Sequence, residues 1–291
     1  MKMKRSEKLG MFTGLVVGVL LLLISVFMIF QTTCKVWGAE KPANATQQGI
    51  DVSSHQGKID WEQVKNSALA DYAIIRCGYG VNQTDKDDKY WDYNSSECER
   101  LGIPYGTYLY SGADTTAKAK SEAEHVVRLL QGKNLTYPIY YDMEADMLNQ
   151  LSSTQIGNIA KTFLNTMESY GYKNVAVYSN KYLFETKLTA SVFSDYPKWI
   201  AQHSNKCTYR GSYHMWQYST QGVIPGISEK VDLNYKIGNW TYAGYSPAKK
   251  PVVAKPKATT IKSLKKSGKK AVKITYKKVS GCLLYTSDAA D

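Results

Sequence analysis

Tyr137-Pro-Ile-Tyr-Tyr-Asp-Met-Glu144 is the stretch on which the reading of this chain turns. It is apolar and aromatic until it ends in charge, the pattern of a buried strand that delivers acidic groups to a solvent-facing rim. On a strand, residues i and i+2 point the same way, so Asp142 and Glu144 face one side with backbones roughly 6–7 Å apart. Two like charges that close in a cleft cannot both ionise freely. One carboxyl is pushed up and can serve as a general acid near neutral pH, an arrangement that glycoside hydrolysis uses. The same residues would also serve to end a strand and cap a following helix, and the motif alone leaves both readings open.

Other segments repeat the pattern. Gly49-Ile-Asp-Val-Ser-Ser-His-Gln-Gly57 carries Asp51 in a short apolar strand that runs into a polar turn, and Ile59-Asp-Trp-Glu-Gln-Val64 then opens a helix. Lys230-Val-Asp-Leu-Asn234 places Asp232 in another short strand. Trp199-Ile-Ala-Gln202 and Met215-Trp-Gln-Tyr-Ser219 are strand-like and end in amide, aromatic and hydroxyl groups. Four carboxylates at separate strand ends point to a common rim.

The intervening sequence supplies the frame. Strands are expected at Tyr72–Cys77, Pro104–Tyr110, the Tyr137 run and Asn174–Ser179, and helical patterns at Asp88–Leu101, Thr116–Leu130 and Ser152–Tyr170. In the last helix Ser152 and Gln155 fit a capping box, Ile156, Ile159, Phe163 and Met167 form a stripe at helical spacing, and Gly171 ends it. Alternation of near-continuous apolar strands with helices reads as a parallel α/β barrel with its active site at the C-terminal strand ends. Few helix signals follow in the last third, so the expectation is an irregular TIM-like (β/α)5(β)3 barrel, a single catalytic domain over residues 49–240 with flexible tails.

Asp51-Val-Ser-Ser-His-Gln-Gly57, Tyr141-Asp-Met-Glu144, Trp199-Ile-Ala-Gln202, Trp216-Gln-Tyr-Ser219 and Val231-Asp-Leu-Asn234, in this order, resemble the signatures of glycoside hydrolase family 25 lysozymes, the muramidases. The resemblance covers about residues 49–238. It implies that Glu144 is the proton donor, that Asp142 supports developing positive charge or orients the substrate's N-acetyl group, and that Asp51 and Asp232 complete the acidic site. The expected reaction is hydrolysis of the β-1,4 bond between N-acetylmuramic acid and N-acetylglucosamine in peptidoglycan, with retention through either a covalent aspartyl intermediate or the sugar's own acetamido group, the Asp-x-Glu spacing favouring the second. A chitin-type glycosidase on the same barrel and a non-catalytic wall-binding protein are the alternatives; the presence of all four carboxylates speaks against the second.

Aromatic residues fall where sugar rings could stack. The chain has 23 tyrosines, and Tyr79, Tyr110, Tyr178 and Trp216, with the amides of Gln202 and Gln217, are the candidate substrate-binding residues. Any one of these tyrosines is as readily explained by packing of the barrel. The four histidines are scattered and no C-x-x-C pair occurs, so neither metal nor cofactor is expected. Of five cysteines, Cys77 and Cys98 lie on a strand and the helix after it, elements that pack together, and a disulfide between them is the expectation. Ser53-Ser54-His55 reads as a turn supporting Asp51, not as a nucleophile site.

The charge of +12 is unevenly placed. Between Gly49 and Gly238 there are 19 Lys plus Arg and 21 Asp plus Glu, whereas the flanks hold 18 basic and 4 acidic residues. The barrel is therefore near neutral. Basic tails without interleaved stacking aromatics argue against nucleic acid and fit anionic wall polymers or lipid head groups. Met1–Lys8 is a positive leader, and Met11–Phe30 is an apolar run of about twenty residues, expected to be a signal peptide or transmembrane anchor within residues 1–38. Residues 39–48 would be a spacer, and the location extracellular or on the cell wall, with membrane contact through the leader. Residues 241–258 read as a Pro and Lys linker. Residues 259–291 resemble the opening of a truncated fibronectin type III-like module, expected to be disordered because two strands cannot close a sandwich. A monomer is expected.

Overall fold

The computed structural model describes residues 39–240, 261–266 and 272–276. Eight strands, β1 (Ala45–Val52), β2 (Tyr72–Tyr79), β3 (Tyr105–Tyr110), β4 (Ile139–Asp142), β5 (Val175–Asn180), β6 (Lys198–Ala201), β7 (Met215–Gly222) and β8 (Val231–Ile237), close into a barrel in chain order. Six α-helices accompany them: α1 (Trp61–Ser67), α2 (Trp91–Leu101), α3 (Thr116–Leu129), α4 (Ser153–Ser169), α5 (Lys181–Thr186) and α6 (Val192–Asp195). The expected TIM-like barrel is present, with helices after β1 to β5 and none between β6 and β8.

The parallel pairing expected throughout holds from β1 to β7 and ends at β8, which runs antiparallel to both neighbours. Only residues 223–230 separate β7 from β8. A parallel return needs a crossover of a dozen or more residues, so a link this short sends the chain straight back. That reversal brings Asp232 into register with Asp51.

Side-chain alternation divides the apolar residues into two clusters. Ile50, Val52, Ile75, Leu109, Tyr141, Val177, Ile200, Trp216 and Leu233 belong to an outer core shared with the helices. Tyr72, Ile74, Tyr140, Ala176, Tyr178, Trp199 and Met215 form a second cluster that fills the lumen. On α4 the stripe Ile156, Ile159, Phe163 and Met167 is buried, and Phe163 stacks on Tyr141 with ring centroids 3.8 Å apart. Each such side chain contributes about 1.5–3 kcal/mol relative to exposure. Ser152 and Gln155 make the expected capping box, and Gly171 takes φ +89° just past the helix end. Gly106 is required by close approach: a Cβ there would lie 2.5 Å from the Pro138 carbonyl oxygen.

Three expectations are corrected. Among the described residues no helix is long and apolar enough to cross a membrane, so the transmembrane helix, and the membrane-anchored location built on it, are not carried forward; the leader that prompted them lies outside the described residues. Cys77 and Cys98 are not bridged. The Cys77 thiol instead donates to the Tyr108 carbonyl oxygen at 3.3 Å, and burial pushes both thiols well above their ordinary values. Within the segment expected to be disordered, Ile261–Lys266 and Val272–Tyr276 pair as antiparallel strands. Two strands are no sandwich, and the fibronectin-like assignment gains no support from them. The linker 241–258 lies outside the described residues.

Candidate active site

Seven of the eight strands contribute to one cavity of about 70 Å³, lined by Asp51, Tyr108, Asp142, Glu144, Tyr178, Trp199, Gln217 and Asp232. It sits at the C-terminal ends of the parallel strands, and β8 reaches it from its N-terminal end because it is reversed. Asp51 and Asp142 are buried, while Asp232 and Glu144 are half-buried. Glu144, two residues past Asp142 and just beyond the end of β4, is the more open of that pair.

Amides organise the β1 and β8 side. Asn234 Nδ2 donates to Asp51 Oδ2 at 2.7 Å. Gln217 Nε2 donates to Asp51 Oδ2 at 3.0 Å and to Asp232 Oδ2 at 3.2 Å. The Gln217 carbonyl oxygen accepts from the Tyr178 hydroxyl and from His203 Nε2, each at 3.0 Å. Trp199 Nε1 donates to Asn234 Oδ1 at 2.8 Å, which fixes which way that amide faces. The β4 side is different. Asp142 Oδ1 is buried without a hydrogen-bond partner among the described residues.

All four carboxyls are shifted upward, and burial is the largest cause for each. Asp142 is held well above the carboxylate range by burial, then by the charges of Glu144 and Asp51, with Arg76 opposing. Burial and the Asp51 charge raise Glu144, with the charge of His203 opposing. Asp51 is raised by burial and Asp232, against the Asn234 and Gln217 bonds. Burial and Glu144 push Asp232 up to about 6. Such a cluster keeps protons that isolated carboxyls release, so it can donate one near neutral pH. Arg76 is held by Asp88 at 2.8 Å and by Ser54 Oγ at 2.9 Å, and Ser53 and Gln56 form a capping box in the turn after Asp51.

Of the residues singled out in the sequence, Asp51, Asp142, Glu144, Asp232, Tyr178 and Gln217 meet in the cavity. Tyr110 stands next to it, in register with Asp142. Trp216 does not reach it: it points outward into the helix-facing core, and its indole N–H donates to the Gln202 carbonyl oxygen at 2.8 Å. The Gln202 side chain turns to Thr208 instead. Tyr79 is exposed on the rim and does not line the cavity. Sequence reasoning missed Asn234, Trp199 and Tyr108. Asn234 lies two residues after Asp232 and so shares its face, a signal present in Val231-Asp-Leu-Asn234 itself. Among the described residues no group of His, Cys, Asp and Glu is arranged to hold a metal ion.

Residues 50–227 match the family described as glycosyl hydrolases family 25. The chain is 30% identical over 188 residues to the autolytic lysozyme of Clostridium acetobutylicum, covering 64% of this chain and 55% of that protein. Its fold superposes on the modular autolysin LytC of Streptococcus pneumoniae with a TM-score of 0.60 and 33% identity, over 65% of this chain and 46% of the autolysin. A family 25 glycosyl hydrolase of Bacillus anthracis shares the fold at a TM-score of 0.60 and 21% identity, over 69% of this chain and 94% of that one. This chain thus spans about half the length of the clostridial lysozyme and of the pneumococcal autolysin.

Proposed function

This chain belongs to glycosyl hydrolases family 25, and from that premise we propose that it is a muramidase acting on peptidoglycan outside the cell. The bond cleaved is the β-1,4 linkage from N-acetylmuramic acid to N-acetylglucosamine. The observation that carries the reading is the meeting of Asp51, Asp142, Glu144 and Asp232 in one cavity at the C-terminal end of the barrel.

Glu144, raised and half-buried just beyond the end of β4, protonates the glycosidic oxygen as its bond to the anomeric carbon breaks. The sugar's own acetamido oxygen attacks that carbon and forms a cyclic intermediate. Asp142 steadies it by accepting the acetamido N–H, a role that its buried, unpartnered Oδ1 supports. Glu144, now ionised, takes a proton from water as the water opens the ring, and configuration is retained. Asp51 and Asp232 line the floor beneath the developing positive charge and share the cluster's remaining negative charge, with Gln217 and Asn234 fixing their positions.

Digestion of purified peptidoglycan by the full chain, followed by borohydride reduction and mass spectrometry, tests this. New muramitol ends are expected, and Glu144→Gln should lower their rate at least about 100-fold. Glucosaminitol ends would move the cut to the other glycosidic bond. Release of chitin oligomers without release from peptidoglycan would reassign the substrate, and no release from either polymer would overturn hydrolysis.

A further inference from the structure

Three large hydrophobic side chains stand exposed among the described residues: Tyr79 at 42%, Tyr182 at 64% and Val223 at 58%. Single exposed apolar residues are ordinary on protein surfaces. Their distribution here is not. Tyr79 is the last residue of β2, Tyr182 comes two residues after the end of β5, and Val223 directly follows β7. All three therefore lie on the rim that surrounds the acidic cavity.

Backbone register gives Tyr79 its direction. The pairing of β2 with β3 shifts between Arg76 and Gly78, one extra residue being accommodated on β2. Strict alternation from Ile74 and Arg76 on the lumen side would put Tyr79 on the helix side. The shift cancels that and pairs Tyr79 with Tyr110. Tyr110 pairs in turn with Asp142, and Asp142 with Tyr178. One continuous row at the strand ends thus runs Tyr79, Tyr110, Asp142, Tyr178, with Tyr182 just beyond its last strand. A linear chain laid along that row passes the end of β4, where Glu144 stands.

The Tyr79 ring is held although exposed, and Tyr182 stands on an anchored helix turn. The Tyr79 hydroxyl donates to the Asp85 carbonyl oxygen at 3.4 Å, and Lys86 Nζ lies over the ring, 5.9 Å from its centroid. The same loop is pinned through Asp87, which is bound by His125 Nε2 at 2.7 Å and by both terminal nitrogens of Arg128 at 2.6 and 2.9 Å. Tyr182 sits in the first turn of α5, where Asn180 caps the helix by accepting from Leu183 N at 2.9 Å and Lys181 pairs with Glu185 at 2.9 Å. A rigid exposed aromatic loses little freedom when a flat apolar surface covers it, and the apolar face of a pyranose ring is such a surface.

We propose that Tyr79 and Tyr182 are outer sugar-stacking platforms that hold a glycan strand on either side of Glu144, so that the enzyme engages several sugars beyond the cleaved pair. This rests on the muramidase reading. It is tested by calorimetry with the full chain carrying Glu144→Gln, which binds without turnover, and with peptide-free peptidoglycan glycan strands of eight and of two sugars. Tyr79→Ala and Tyr182→Ala should each weaken binding of the eight-sugar strand by about 3- to 10-fold and leave the disaccharide unaffected. Tyr79→Phe and Tyr182→Phe should keep the parent's affinity, since stacking needs the ring and not the hydroxyl. Unchanged affinity for the long strand in the alanine variants, or an equal loss for both lengths, would overturn the platforms while leaving the muramidase reading intact. A parent that binds neither strand would defeat that reading, and the platforms with it.

Discussion

Asn234 shows how far a single side chain reaches in this site. Its amide N–H steadies Asp51 at 2.7 Å while its carbonyl oxygen accepts the buried Trp199 indole N–H at 2.8 Å. Asn234→Leu removes both, leaving a buried donor orphaned and a buried carboxylate with one fewer partner. A stability loss of about 1–3 kcal/mol is expected in thermal unfolding. A loss of packing alone would stop there. Because the amide bond favours the ionised form of Asp51, its removal raises that carboxyl further, and the acid limb of the pH profile of kcat/KM should move to higher pH. At this scale the acidic residues were legible because charge at the end of an apolar run is conspicuous. Trp216 and Gln202 were misplaced for the opposite reason: alternation alone does not say which face of a strand is the lumen, and here Gln217, not Trp216, faces inward. Tyr79 stood out as an aromatic at a strand end, but its direction is set by the β2 irregularity, which no pattern in Tyr72–Tyr79 reveals.

Elements were legible where local chemistry settles them. Asp60 caps α1 and Ser152 caps α4 as their types and spacing require. The direction of β8 was not foreseen, since it follows from the eight-residue link 223–230 and not from any residue within the strand. What ties elements together was less visible still. Glu122, a charged residue on α3, is fully buried. It accepts from the Tyr141 hydroxyl at 2.6 Å, Ser111 Oγ at 2.9 Å and Gly112 N at 2.8 Å. One helix side chain thereby clamps β4 and the loop after β3, next to the strand end that delivers Asp142. Glu122→Ala takes the carboxylate acceptor from the buried Tyr141 hydroxyl, which keeps only Ser111 Oγ at 2.8 Å, strips Gly112 N of its acceptor and opens a cavity, for a loss of about 2–4 kcal/mol. Urea unfolding should show a lower midpoint with an unchanged slope, because the barrel still unfolds as before from a weaker clamp.

For the whole molecule, the acidic site is a liability that the fold supports. The chain carries +12, but the surplus belongs to the flanks, and Arg76, His203 and the Asn234 and Gln217 amides only partly compensate four carboxyls gathered in one cavity. Their folded-state values lie above their ordinary ones, so between the two the native protein binds more protons than the unfolded chain. Stability then falls as pH rises through that interval. For Asp232 the window runs from its unfolded value near 4 to about 6; Asp51, Asp142 and Glu144 are raised as well and act in the same sense. Elsewhere, Asp87 is lowered overall by its Arg128 and His125 bonds despite burial and pulls the other way, its contribution being lost only as pH falls below the ordinary carboxylate range. The melting temperature should therefore be higher near pH 5 than near pH 7.5, and Asp232→Asn should flatten that slope while raising stability at neutral pH. Calorimetric scans of the parent and of this variant across pH 4.5 to 8 measure both. A melting temperature that rose toward neutral pH in the parent would mean that the cluster releases its protons more readily than its burial allows, and the proton that Glu144 needs as a general acid would lose its physical source.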